Sequence, residues 1–379
     1  MDPTATALGT WSGGRFMHFG EPVSEARLRA LLTPGKGIDT VISADVYGMG
    51  AADRLLGTAL EGRRRESYCL VGAVGHDFYE GRREGAKGFP RFTDPRLRSE
   101  RAYTGYLRRA TERSLERCGA ERFDLLLLHN PDRTGYTSAA VWDGMQALRD
   151  AGLTRLLGVA PGPANGFTLD LIDCFERFSD QIDWAMIIFN PLEPWPGELV
   201  LDAAAAHGVQ LITRVVDHGG IFHDDVSSED DFSERDHRRF RPAGWVPAAR
   251  EKLERMRPYA QRHGLTALQL ACAWNLAHRP VRCVAPTLLQ ERGPGARAIE
   301  DKRAELAGVR AEGPLSGEEI RAIRAIGENA GCMALKGAST EHEGPPHPDR
   351  WQLGELSAVG TRWGIDPRRD LARRELTAT

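Results

Sequence analysis

The chain has 379 residues, of which 41% are hydrophobic and 27% charged. That is enough apolar material for one large core and too little charge for wholesale disorder. Fifty basic against fifty-three acidic residues leave a net charge of −3, which excludes a general nucleic-acid binder or a polybasic membrane protein. No apolar run approaches the roughly 18 residues needed to span a bilayer. Met1 to Thr10 lacks a basic stretch followed by an apolar one, so an export signal is not expected and a cytoplasmic location is. Cys69, Cys118, Cys174, Cys272, Cys283 and Cys332 form no C-x-x-C pair. They read as buried thiols, not as a disulfide frame or a zinc site.

In chain order, Val23 to Leu32 has a helical pattern, and Ile38 to Ala44 is a short apolar run suited to a buried strand. Ala51 to Leu60 is helical, with Leu55, Leu56 and Leu60 on one face, and Tyr68 to Val74 is the next strand. A long amphipathic helix runs from about Ser99 to Cys118, with Gly119 as its stop. Phe123 to Leu128 is the clearest strand. It is followed by a helix near Ser138 to Arg149, the strand Arg155 to Val159 and a helix near Leu169 to Phe178. The rhythm continues with strand Trp184 to Phe189, a helix through Ala203 to Ala206, strand Val209 to Val215, helix Leu265 to Ala277 and strand Val281 to Val284. About eight strand–helix units fit a (β/α)8 TIM barrel spanning residues 1–330 better than an open doubly wound sheet.

Two stretches interrupt the pattern, each after a strand. His76 to Pro95 follows the third strand, and His218 to Trp245 follows the seventh. In a barrel that is the end where active sites are built. Residues 331–379 mix Gly, Pro and charge and read as an extended C-terminal wrap, in which His342, Glu343 and His347 are solvated.

Several segments, in order over roughly residues 8–310, carry a family resemblance. They are Gly37-Ile38 leading to Ala44-Asp45-Val46-Tyr47-Gly48-Met49-Gly50, then Arg54-Leu55-Leu56-Gly57, then Ser114 to Gly119. Phe123-Asp124-Leu125 running to His129-Asn130-Pro131-Asp132, Leu148 and Gly152 to Val159, Asn190-Pro191-Leu192, and Gly264 to Trp274 complete the set. In these the chain resembles the aldo-keto reductase superfamily. The resemblance implies a (β/α)8 barrel, hydride transfer between NADP(H) and a carbonyl, and a tyrosine acid sharpened by a lysine beside an aspartate and a histidine. Tyr47 and His129 fall on the tyrosine and histidine positions. The aspartate position is Ile42 and the lysine position is Ala73.

A tyrosine without a neighbouring cation keeps a pKa near 10, so the proton work passes toward His129 unless Arg214, at the end of the seventh strand, supplies the charge. Arg214 either holds a substrate carboxylate or phosphate, or simply pairs with Asp217. The cofactor contacts implied by the resemblance are altered as well. Ala160-Pro161 replace a Ser-Asn pair, Met186 a glutamine, and Arg214 or Val215 the aromatic that stacks on nicotinamide. Arg297 to Asp301 loosely echo the phosphate and adenine motif, which makes Arg297 and Asp301 the candidate cofactor residues. His76 and Asp77 are either a relocated acid or an ordinary loop pair. His218, His223, Asp224 and Asp225 read as a polar substrate lid rather than a metal set, since their spacing matches no zinc pattern, and Asp217 and His218 are the candidate substrate-binding residues. Gly48 and Gly50 serve tight turns. The expected activity is an atypical reductase acting on a small polar carbonyl or sugar-like substrate, with Tyr47 and His129 as its proton-handling pair. The alternative is a lyase, dehydratase or isomerase on the same barrel that uses no nicotinamide, or a barrel that has lost catalysis. The expected partner is a small molecule, with no nucleic acid, membrane or metal.

Overall fold

The computed structural model describes residues 1–84, 88–162, 167–241, 243–329 and 353–371. Eight strands, β1 Ala7–Gly9, β2 Thr40–Ile42, β3 Cys69–Val74, β4 Phe123–His129, β5 Thr154–Ala160, β6 Trp184–Ile188, β7 Gln210–Arg214 and β8 Val281–Ala285, lie in sequence order in one parallel sheet. Thr6 bridges Val284 in parallel, and Val284 N–H donates to Ala5 O, so β8 meets β1 and the sheet closes on itself. A parallel sheet is buried on both faces, which is why these strands read as nearly continuous apolar runs and not as an alternation.

Two cores follow from the two-residue period of the strands. Ala7, Ile42, Val71, Leu125, Leu127, Trp184, Met186, Ile212 and Cys283 fill the inside of the barrel. Leu8, Val41, Leu70, Leu126, Leu128, Leu157, Ile187 and Val284 face outward onto the helices. The same alternation sends His129 and Arg214, the last residues of β4 and β7, toward the barrel mouth. Gly158 marks how tightly the inside is packed: a Cβ there would lie 2.4 Å from the Trp184 carbonyl oxygen and 2.7 Å from the Leu127 side chain.

The covering helices are α1 Glu25–Leu32, α2 Ala51–Leu60, α3 Tyr103–Cys118, α4 Arg133–Thr137, α5 Ala139–Asp150, α6 Thr168–Phe178, α7 Leu201–Ala206, α8 Trp245–Arg262, α9 Ala267–Leu276, α10 Ile299–Ala307, α11 Gly317–Ile326 and α12 Leu353–Arg362. Their ends follow the local chemistry. Gly119 closes α3 in the left-handed conformation (φ 63°), and Thr266 and Gln269 form a reciprocal capping box at the start of α9.

The loop after β7 ends at Trp245 as expected, but the 18-residue helix α8 that begins there was not anticipated. Pro258 sits inside α8, and an interior proline is a sequence signal against a helix, so the pattern was hidden. The C-terminal segment is not wholly extended. Helix α12 buries Leu356 and Val359, and Arg362 and Trp363 both bond Glu176 of α6. Residues 330–352, including Cys332, His342, Glu343 and His347, lie outside the described residues. The five described cysteines are buried and free. Among the described residues no helix is long and apolar enough to cross a membrane.

Candidate active site

Tyr47 follows β2 in a turn where Met49 and Gly50 take positive φ, so the chain doubles back into α2. The turn leaves the Tyr47 ring packed against the interior cluster of the barrel. His129 meets it edge-on, with ring centroids 5.7 Å apart at 87°. On its other side His129 meets His76, 5.1 Å away at 71°. Three rings from β2, β3 and β4 therefore share one corner of the mouth.

His76 is fixed by its hydrogen bonds. Its Nδ1 lies 3.1 Å from Phe89 O, which can only accept, so Nδ1 carries the proton. Nε2 then accepts from Asn130 Nδ2 at 3.1 Å, and the imidazole is neutral. Burial, with the nearby Arg91 guanidinium, pushes its pKa well below the usual value. Asn130 takes a positive φ of 48°, a conformation that Asn tolerates better than most residues. Asp77 is not free for chemistry: it is fully buried, accepts from Tyr79 N and Glu80 N, and pairs with Arg98. It is an ordinary loop anchor.

His129 is buried and its Nδ1 has no partner among the described residues. Burial, then Arg214 and Arg91, lowers its pKa to about 3, so it is a neutral imidazole at pH 7. Tyr47 is raised above its ordinary value by burial, with the Arg214 charge opposing that rise. Arg214 is thus the cation that acts on the phenol. Its Nη2 donates to Pro161 O at 2.9 Å, while its Nε is buried without a partner. The pairing with Asp217 expected from sequence does not form. Asp217 is fully buried and accepts from Gly220 N at 2.9 Å and Thr287 N at 2.7 Å, fastening the loop after β7.

The lid residues disperse. His218 lies 3.4 Å from Glu193, which also pairs with Arg241 at 3.0 Å, and stacks edge-on against Trp245. Burial lowers its pKa to about 4. His223 bonds Thr287 O, Asp224 pairs with Arg257, and Asp225 pairs with the fully buried Lys302 at 2.7 Å. No cluster among the described residues suits a metal. Arg91, which the sequence reading did not single out, donates from Nε to Asn130 O; its segment forms an antiparallel bridge with His76. Its loop position gave no periodic signal.

The chain belongs to the aldo/keto reductase family, whose model matches residues 7–326. Its fold is similar to that of the aldo-keto reductase AKR11C1 from Bacillus halodurans (TM-score 0.61, 20% identity, 89% of this chain and 96% of that one). It is also similar to the glycerol dehydrogenase AKR11B4 from Gluconobacter oxydans (TM-score 0.63, 21% identity, 85% and 90%). A D-threo-aldose 1-dehydrogenase from a Pseudomonas species is 23% identical over 194 residues, which is 49% of this chain and 57% of that relative.

The family generally uses NAD(P)H, and the residues at the nicotinamide end do not fit that group. Ala160 is apolar, Pro161 has no N–H and its carbonyl is taken by Arg214, and Met186 is buried at 4% exposure. Arg214 itself reaches from β7 across the end of β6 to the carbonyl that follows β5. At the far end, Arg297 bonds His223 O and Glu305, leaving its charge neutralised, and Asp301 is exposed in the first turn of α10. A cleft of about 380 Å³ between α8, α9 and α10 is lined by Arg257 and Arg297 but equally by Asp224 and Glu305.

Proposed function

We propose that the barrel mouth carries out proton transfer to and from a small polar carbonyl or sugar-like compound. The observation that carries this reading is the contact of Tyr47 with His129 under the field of Arg214. With an imidazole that stays neutral, the proton donor is the Tyr47 phenol, and Arg214 stabilises the phenolate left behind. His129 then serves as a neutral hydrogen-bonding partner, donating a ring N–H to the carbonyl oxygen. This shifts the division of labour that the sequence suggested, in which His129 was the better proton donor or acceptor. His76, locked by Phe89 and Asn130, positions the His129 ring and exchanges no proton of its own.

Family membership supports the oxidoreductase class, with the carbonyl reduced or its alcohol oxidised. A second reading, an isomerase or lyase that moves protons beside a carbonyl, is favoured by the Arg214–Pro161 contact, which lies where a nicotinamide would need its amide held. Fluorescence titration with NADPH and NADH separates the two. Binding near micromolar, with hydride transfer to any aldehyde, supports the redox class. No binding of either at millimolar concentration removes it and leaves proton transfer alone. On whichever carbonyl substrate turns over, Tyr47→Phe should lower kcat at least a hundredfold; full activity in that variant would refute the assignment of Tyr47.

A further inference from the structure

Among the described residues, Arg214 is a charge without a counter-charge. Glu193, the carboxylate whose charge acts on Arg214, pairs with Arg241 and His218, and Asp217 is spent on backbone N–H groups. No carboxylate among the described residues forms an ion pair with Arg214, and its Nε is buried with nothing to donate to. Buried guanidinium groups are ordinarily paired, because an uncompensated charge in a low-dielectric site is costly. A second guanidinium, Arg91, backs the same corner through Asn130 O. The next residue, Val215, holds a φ of 58°, a strained conformation for a β-branched side chain, at the point where β7 delivers Arg214 to the mouth.

We propose that Arg214 is the carboxylate-binding residue of this site, and that the substrates are carbonyl compounds bearing an acid group, such as short oxo acids or sugar acids. The inference rests on the reading of the mouth as a carbonyl site and deepens it. The planar fork of Arg214 donates to the carboxylate through Nε and a terminal nitrogen, the bidentate geometry that lysine does not offer. With the acid end held there, the carbonyl falls between the Tyr47 hydroxyl and the orphaned Nδ1 of His129. A bound carboxylate also supplies the missing counter-charge, so neutral analogues of the same shape are rejected through the unpaired cation they leave behind.

The test is calorimetric binding of matched pairs to the full chain: pyruvate against hydroxyacetone, and D-glucuronate against D-glucose. At least a tenfold preference for the acid in one pair is expected, with Arg214→Gln abolishing it and Arg214→Lys restoring part of it. Equal binding within both pairs, no binding of either acid, or a preference that survives Arg214→Gln overturns the proposal. Should Arg214→Gln fail to fold, Arg214→Lys carries the test: an unchanged preference there refutes the bidentate role. Tyr47→Phe separates this inference from the reading beneath it. If the acid preference stands but Tyr47→Phe leaves turnover intact, the proton-transfer reading fails and the carboxylate site remains. If Tyr47→Phe abolishes turnover of neutral carbonyls with no acid preference, the reverse holds.

Discussion

Replacing Arg214 by methionine should stabilise the fold while it destroys the site. The guanidinium makes one described hydrogen bond, to Pro161 O at 2.9 Å, and its buried Nε makes none. Losing that bond, with a carbonyl left less satisfied, costs about 2 kcal/mol. Arg214 is half-buried, so relieving its unpaired charge returns part of what a fully buried ion costs, and methionine of similar length keeps most of the apolar contact; the gain is about 4 kcal/mol. The net is a stabilisation of about 2 kcal/mol. With about 2.1 cal/mol/K of unfolding entropy per residue, that is a rise of ~3 °C in melting temperature for a barrel of this size. Calorimetry of the variant, beside an assay of carboxylate binding, checks both halves. A melting temperature several degrees lower would show that Arg214 is held for the fold and would refute the argument that its charge waits for a ligand.

Three further outcomes follow from the buried charges and the packing. His129 and His218 titrate near 3 and 4 when folded, below the ordinary 6.5. The unfolded chain therefore binds more protons between pH 6.5 and 4, and stability falls as pH falls, by about 2 kcal/mol for each imidazole at pH 5. Urea midpoints from pH 7.5 to 5 should show this drop, with a shallower slope in His129→Gln; a flat profile would mean that these rings are solvated. Lys302→Met leaves the fully buried Asp225 carboxylate unpaired and should cost about 3–5 kcal/mol, most of it recovered when Asp225→Asn is added. An unchanged denaturation midpoint in the single variant would refute the pairing. Gly158→Ala forces a Cβ against the Trp184 backbone and should destabilise the barrel by about 1–3 kcal/mol, read by the same denaturation curves; tolerance would mean that the interior is looser than its contacts imply.

The barrel was legible because strands buried on both faces must be apolar and short, and because Gly119 punctuates the end of α3. That the Tyr47 and His129 rings meet was legible from the motif and, for His129, from its place at the end of a barrel strand. What the sequence concealed came from loops and long-range pairing. Arg91 reaches the site through a bridge to His76 that no periodicity announces. Asp217 looked like a partner for Arg214 because it is three residues away, yet its carboxylate turned to Thr287, seventy positions on. The acids of the loop after β7 resembled a cluster only in one dimension; Arg257 and Lys302 drew Asp224 and Asp225 apart.

The account stands or falls on an uncharged imidazole lying beside a phenol under the field of Arg214. Ring-nitrogen NMR of His129 across pH 3 to 8, in the parent chain and in Arg214→Gln, reads that arrangement directly. A ring that stays neutral down to about pH 4 or below, and whose pKa climbs when the guanidinium is removed, is the expected result. A ring that titrates near 6.5 and ignores the substitution would place the two side chains apart and contradict the site.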